Sequence, residues 1–180
     1  MMIRSTLLLL AATITSPFAM AQNLHSSGSG ASQSTSGVQL PLIVGHRGES
    51  YDAPENTAAA YDLCWERGVD AAEIDVYLTK DGRVIALHDA DTFRTTGKQV
   101  KLVPGESTAD ELRKLDVGSW KSPKYAGEKM PFLEDVLAKM PKGKKMFIEI
   151  KIGPEAAAPV LKIMRASGHP LENLPVICFK

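Results

Sequence analysis

The chain has 180 residues, with 21 Lys and Arg balancing 21 Asp and Glu; apolar residues make up 44% and charged residues 23%. That balance leaves no basic footprint for nucleic acid or an anionic membrane face, and the composition is neither that of a disordered chain nor that of a polytopic membrane protein. The two cysteines, Cys64 and Cys178, are too few for a disulfide scaffold and lack the paired spacing of a zinc cluster.

The N-terminal stretch reads as an address. A short basic start ends at Arg4, an apolar run with four consecutive leucines follows from Leu7 to Thr15, and Ala19-Met20-Ala21 supplies small residues at a cleavage point. Residues 1–21 are therefore expected to be a secretory signal peptide cut after Ala21, placing the protein in the periplasm or outside the cell. The apolar run is well short of the roughly 20 residues that span a bilayer, so no stable membrane span is expected after cleavage. Residues 22–39 are dominated by Ser, Gly and Thr and read as a flexible tether, with His25 a solvated linker residue. Export would let Cys64 and Cys178 pair, but they fall in separate predicted elements, and two buried thiols are the expectation.

Residues 40–180 alternate strand and helix. LPLIVGHR reads as a strand, and NTAAAYDLCWERG as a helix with Asn56 as N-cap and Gly68 as its stop. AAEIDVYLT and RVIALHD are strands paired closely through the turn Lys80-Asp81-Gly82. STADELRKLD is a short helix capped by Ser107 or Thr108, and PFLEDVLAKM a helix opened by its proline. KKMFIEIKI is a strand, PEAAAPVLKIMRASG a helix stopped by Gly168, and PVICFK a further strand. This order implies βα units and a largely parallel sheet, either open and doubly wound or closed as a (β/α)8 TIM barrel. Gly45-His46-Arg47-Gly48 is not the glycine loop of a doubly wound nucleotide fold. Ionisable residues stand instead at successive strand ends: His46 and Arg47, Glu73 and Asp75, His88 and Asp89, Glu149 and Lys151. That distribution favours the barrel.

Strand parity puts Glu73, Asp75 and Tyr77 on one face and Ile74, Val76 and Leu78 on the other, and it pairs Glu149 with Lys151 in the same way. Three carboxylates meeting at a barrel mouth repel one another unless a cation neutralises them or a carboxyl keeps its proton, and an all-oxygen set suits Ca²⁺ or Mg²⁺ rather than zinc. Half-exposed positions paired with Lys80 or Arg83 are the other reading of Glu73 and Asp75. His46 and His88 can serve as proton carriers, although a strand-end histidine is often structural. Arg47 offers a fork for phosphate oxygens and Lys151 a mobile point charge. Together these groups describe hydrolysis of a phosphate ester better than acyl transfer, for which no G-x-S-x-G elbow is present.

The ordered motifs GHRGESYDAPENTAAAY, AAEIDVYLTKDGRVIALHD, FRTTG and IEIK resemble the glycerophosphodiester phosphodiesterase family from about Leu42 onward. The resemblance implies a (β/α)8 barrel that hydrolyses glycerophosphodiesters to sn-glycerol 3-phosphate and an alcohol. By the same resemblance His46 and His88 match the acid–base pair, and Glu73, Asp75 and Glu149 the ligands of a divalent metal. Arg47 and Lys151 match substrate-side cations, and Glu55 a further site position that also reads as a first-turn acid beside a helix dipole. Asn56 reads as an N-cap rather than a ligand.

A barrel of this kind runs to roughly 250 residues, so the five predicted strands are expected to be part of a set of eight, in a truncated or fragmentary product. An open sheet with an apolar edge is expected to aggregate and to lack activity alone. Two other functions fit the residues: a phospholipid phosphodiesterase of the sphingomyelinase D type, and a non-catalytic periplasmic remnant.

Overall fold

The computed structural model describes residues 41–179. The expected signal peptide, the tether through residue 39 and His25 lie outside the described residues.

Five short strands and four helices follow one another as β1 (Val44–Gly45), α1 (Ala58–Glu66), β2 (Ala71–Leu78), β3 (Val84–Ala86), α2 (Ala109–Lys114), α3 (Leu133–Lys139), β4 (Lys145–Ile150), α4 (Ala157–Ala166) and β5 (Val176–Cys178). The sheet runs β1-β2-β4-β5 with every neighbour parallel. The third strand departs from that pattern, because β3 pairs antiparallel with β2, Val84 opposite Leu78 and Ala86 opposite Val76. Its connection is too short for a parallel crossover. Thr79 N–H donates to Arg83 O at 2.9 Å, and Gly82, at φ +78°, takes the left-handed position of the turn. The predicted close pair is thus a hairpin carried on a parallel sheet.

One-sided layering distinguishes this sheet from a doubly wound one. Ala72, Ile74 and Val76 of β2 and Met146, Ile148 and Ile150 of β4 pack against Tyr61 and Cys64 of α1, Leu133, Val136 and Leu137 of α3, and Val160 and Met164 of α4. All three helices use the same face, which is the wall of a barrel; a doubly wound sheet carries helices on both. Each fully buried aliphatic side chain here contributes about 1.5–3 kcal/mol. A second cluster, Ile85, Leu87, Leu112, Val117 and Met130, seats α2 on the other side of the hairpin.

Several local expectations change. Helix α1 is capped by Thr57, whose Oγ1 accepts from Ala60 N–H at 3.3 Å, and not by Asn56. Thr108 caps α2 with Glu111 completing a capping box, as the sequence indicates. Pro131 does not open α3: its carbonyl accepts from Ala86 N–H at 3.0 Å, and the helix begins two residues later. Cys64 is buried, whereas Cys178 is exposed on β5 with its Sγ 3.9 Å from Ile152 O. The second buried thiol is therefore not realised: Cys178 is exposed. Among the described residues no helix is long and apolar enough to cross a membrane.

Candidate functional site

Parity does the first part of the assembly. Glu73 and Asp75 leave β2, and Glu149 leaves β4, on the face opposite α1, α3 and α4, with Asp75 in register with Glu149. One oxygen from each of the three lies within 4.8 Å of the others. Asp75 is 1% exposed and Glu73 7%. Burial, and then the charge of Asp75, push the Glu73 carboxyl up to about 7. Glu73 Oε1 is buried and makes no hydrogen bond, and buried Asp75 Oδ1 has only the Lys151 ammonium at 3.3 Å. A buried carboxylate oxygen left without a donor, in an all-oxygen cluster of three carboxylates, fits a hard divalent cation.

Protein cations surround the cluster without satisfying it. Lys151 Nζ lies 2.6 Å from Glu149 Oε1 and 3.3 Å from Asp75 Oδ1. Burial pulls the Lys151 ammonium down, but the hydrogen bond to Glu149 and the charge of Asp75 outweigh it and hold its pKa above the ordinary value. Arg47 Nε stands 3.4 Å from Asp75 Oδ2. The carboxylates thus pair with Arg47 and Lys151, not with Lys80 or Arg83; Arg83 reaches Glu134 instead.

The turn after β1 explains the HRG motif. Arg47 has φ +57° and Gly48 φ +75°, so the chain reverses sharply and Arg47 N–H donates to Glu73 Oε2 at 2.8 Å. A Cβ on Gly48 would sit 2.8 Å from the Ala60 carbonyl carbon, which leaves room only for glycine. His46, on the same turn, points its Nε2 at Glu73 Oε2 from 4.0 Å with its side chain 68% exposed. An open cleft of about 230 Å³ lined by Val44, His46, Glu73, Phe147 and Ile177 lies beside them. A larger cavity, about 560 Å³, sits between α3, α4 and the β2–β3 turn, where none of these groups reaches.

The PEN segment closes the site from the other side. Asn56, at φ +55°, donates its backbone N–H to Arg47 O at 3.0 Å and its Nδ2 to Asp75 Oδ2 at 2.9 Å. The buried Tyr61 hydroxyl donates to Asn56 Oδ1 at 2.8 Å, and burial followed by the Glu73 charge holds that phenol protonated well above its ordinary range. Glu55 accepts from Arg47 Nη1 at 3.1 Å and from both terminal nitrogens of Arg94 at 2.8 Å. Burial alone would raise the Glu55 pKa, but Arg94 and Arg47 bring it below the ordinary value. Arg94 also grips Asp89, whose Oδ1 lies 2.8 Å from His88 Nδ1.

The expected residues therefore form one connected set. His46 reaches Glu73, Glu73 and Asp75 reach Arg47, Arg47 reaches Glu55, and Glu55 leads through Arg94 and Asp89 to His88. Lys151 ties Glu149 to Asp75. Sequence reasoning gave no role to Arg94 or Tyr61 and a helix cap to Asn56. The signal for two of them was present in FRTTG and PEN, which occur as intact motifs, but their partners are distant in the chain.

Comparisons with known proteins agree with this geometry. The model of the glycerophosphoryl diester phosphodiesterase family matches residues 46–168. The chain is 43% identical over 117 residues to a glycerophosphodiester phosphodiesterase of Caldanaerobacter subterraneus subsp. tengcongensis, covering 62% of this chain and 46% of that protein. It is 38% identical over 120 residues to one from Bacillus subtilis, covering 61% and 40%. The solved glycerophosphodiester phosphodiesterase of Agrobacterium tumefaciens superposes with a TM-score of 0.71 at 31% identity, covering 78% of this chain and 59% of that one. An Oleispira antarctica phosphodiesterase in complex with the product sn-glycerol-3-phosphate gives 0.66 at 32% identity, covering 77% and 57%. The chain spans about half the length of the curated relatives it matches. The barrel class expected from the strand ends is that of these enzymes. With the match running from the HRG turn through α4, the chain belongs to the glycerophosphoryl diester phosphodiesterase family.

Proposed function

We propose that the residues gathered here serve the hydrolysis of glycerophosphodiesters to sn-glycerol 3-phosphate and an alcohol. The observation that carries this reading is the trio of buried Glu73 and Asp75 with half-buried Glu149, one oxygen of each within 4.8 Å of the others and Glu73 Oε1 without a hydrogen-bond partner. These three would hold Ca²⁺ or Mg²⁺, which when bound polarises a phosphoryl oxygen and offsets the charge that develops on it. Arg47 and Lys151 bring further positive charge to the same place and suit a phosphate anion. His46 stands on the cleft side with an exposed ring and His88 at the far end of the network, so one takes a proton from the attacking oxygen while the other gives one to the leaving alcohol. The Oleispira antarctica relative, whose structure holds sn-glycerol-3-phosphate, supports the product assignment. Cleavage of the leading segment after Ala21 would place the reaction outside the cytoplasm.

The test is turnover by this chain completed with the part of the Caldanaerobacter relative that it does not match. Release of sn-glycerol 3-phosphate from glycerophosphocholine, stopped by a chelator and lost in His46→Ala and in His88→Ala, is expected. Near-normal rates in both histidine variants overturn the assignment.

A further inference from the structure

Two carboxylates hold one guanidinium beside His88. Arg94 donates from Nη1 to Glu55 Oε2 and from Nη2 to Glu55 Oε1, each at 2.8 Å. On its other edge it donates from Nε to Asp89 Oδ2 at 2.7 Å and from Nη2 to Asp89 Oδ1 at 3.0 Å. The same Asp89 Oδ1 meets His88 Nδ1 at 2.8 Å. The Trp120 ring covers the guanidinium at 5.6 Å.

The segment that presents Arg94 is itself braced. Thr96 Oγ1 donates to Thr92 O at 2.9 Å and accepts from Val100 N–H at 3.1 Å, while Thr92 Oγ1 accepts from Leu102 N–H at 3.0 Å. Thr92, Thr95 and Thr96 are buried, and Gly97 turns the chain at φ +66°. A fork held in this way fixes direction as well as charge, which a lysine on a flexible stem does not.

We propose that Arg94 is a positioning residue for His88: it holds Asp89 as an acceptor against Nδ1, so the neutral imidazole carries its proton there and presents Nε2 as the nitrogen that exchanges a proton with substrate. The proposal rests on the reading of His88 as a proton carrier given above. An ionised carboxylate only accepts hydrogen bonds, so Nδ1 must donate to it. The hydrogen bonds from Arg94, followed by that from His88, bring the Asp89 carboxyl down to about 2, which keeps it ionised throughout the range in which histidine titrates. The other groups near His88 leave this assignment intact. Tyr77 donates its hydroxyl to the His88 carbonyl at 3.4 Å and not to the ring, and Glu55 is occupied by Arg94 and Arg47.

The experiment is long-range proton–nitrogen correlation of the imidazoles in the ¹⁵N-labelled chain at pH about 8.5, above the ordinary histidine range. In the wild type the Nδ1–H form of His88 is expected to dominate about tenfold or more, as one charge-assisted hydrogen bond provides. Arg94→Met and Asp89→Ala are each expected to make Nε2–H the major form, the preference of free imidazole, and Arg94→Lys to fall between. An unchanged Nδ1–H population in Arg94→Met overturns the proposal; if that variant fails to fold, an unchanged population in Arg94→Lys does so. Turnover plays no part in this measurement, so a chain without phosphodiesterase activity counts against the proposed function and leaves the tautomer result standing.

Discussion

Asn56 donates its side-chain amide to Asp75 at 2.9 Å across a sequence separation of 19 residues, from a backbone held at φ +55°. Three consequences meet in that contact. The amide holds one oxygen of a buried carboxylate, Tyr61 fixes which way the amide faces, and the left-handed backbone removes Asn56 from the helix cap that Thr57 takes instead. Replacing it separates the roles. Asn56→Gly keeps the backbone at no steric cost but loses the amide, and is expected to weaken divalent-cation uptake about 10–100-fold, the usual cost of losing a group that orients a ligand. Asn56→Ala is expected to lose the same affinity and about 1–2 kcal/mol of stability besides, because a Cβ disfavours that conformation. Titration calorimetry and urea midpoints read the two effects independently.

Gly48 has no substitute. At φ +75° and 2.8 Å from the Ala60 backbone, an alanine meets both conformational strain and overlap with main-chain atoms that cannot yield. Gly48→Ala is expected to cost roughly 2–5 kcal/mol, from left-handed strain plus overpacking. A urea denaturation curve with an unshifted midpoint would contradict this account of the HRG turn.

Leu137 is fully buried on α3 against the helix-covered face of the sheet. Leu137→Ala is expected to lower stability by about 2–5 kcal/mol through a cavity. Cation affinity of the folded fraction should stay unchanged, since the carboxylates lie on the opposite face.

The Asp89–Arg94 contact predicts an acid dependence of known sign. Asp89 falls from an ordinary 3.8 to about 2 in the folded chain, chiefly through the Arg94 hydrogen bonds. A depressed carboxyl stabilises the fold above its unfolded value, and that stabilisation fades as pH falls from about 4 to about 2. The stability gap between wild type and Asp89→Asn, from denaturant curves at a series of pH values, should therefore be widest above about pH 4 and close toward pH 2. A gap that widens on acidification would contradict the assignment.

Much of the site was legible because strands have period two. Parity put Glu73 with Asp75 on β2 and Glu149 with Lys151 on β4, each pair opposite the isoleucines and valines of the core, and burying that apolar set on one side brings the two pairs to a shared face. The hairpin was legible from Asp81-Gly82. Other features depend on information that no local pattern carries. Arg47 and Asn56 adopt positive φ because tertiary contacts outweigh their preference, and a sequence window reads Asn before Thr-Ala-Ala as a cap. Arg94 meets Glu55 across a separation of 39 residues, so its role becomes visible only when the two loops are side by side. Cys178 reads as a buried thiol because unpaired cysteine is among the residue types most often buried, whereas it stands exposed on β5.

The account depends most on a divalent ion held by Glu73, Asp75 and Glu149. Isothermal titration of the chain with Ca²⁺ and with Mg²⁺ measures this without requiring turnover. One site per chain for at least one of the two ions is predicted, reversed by a chelator and abolished in Glu73→Gln and in Asp75→Asn. No uptake of either ion, or uptake undiminished in both variants, would contradict it.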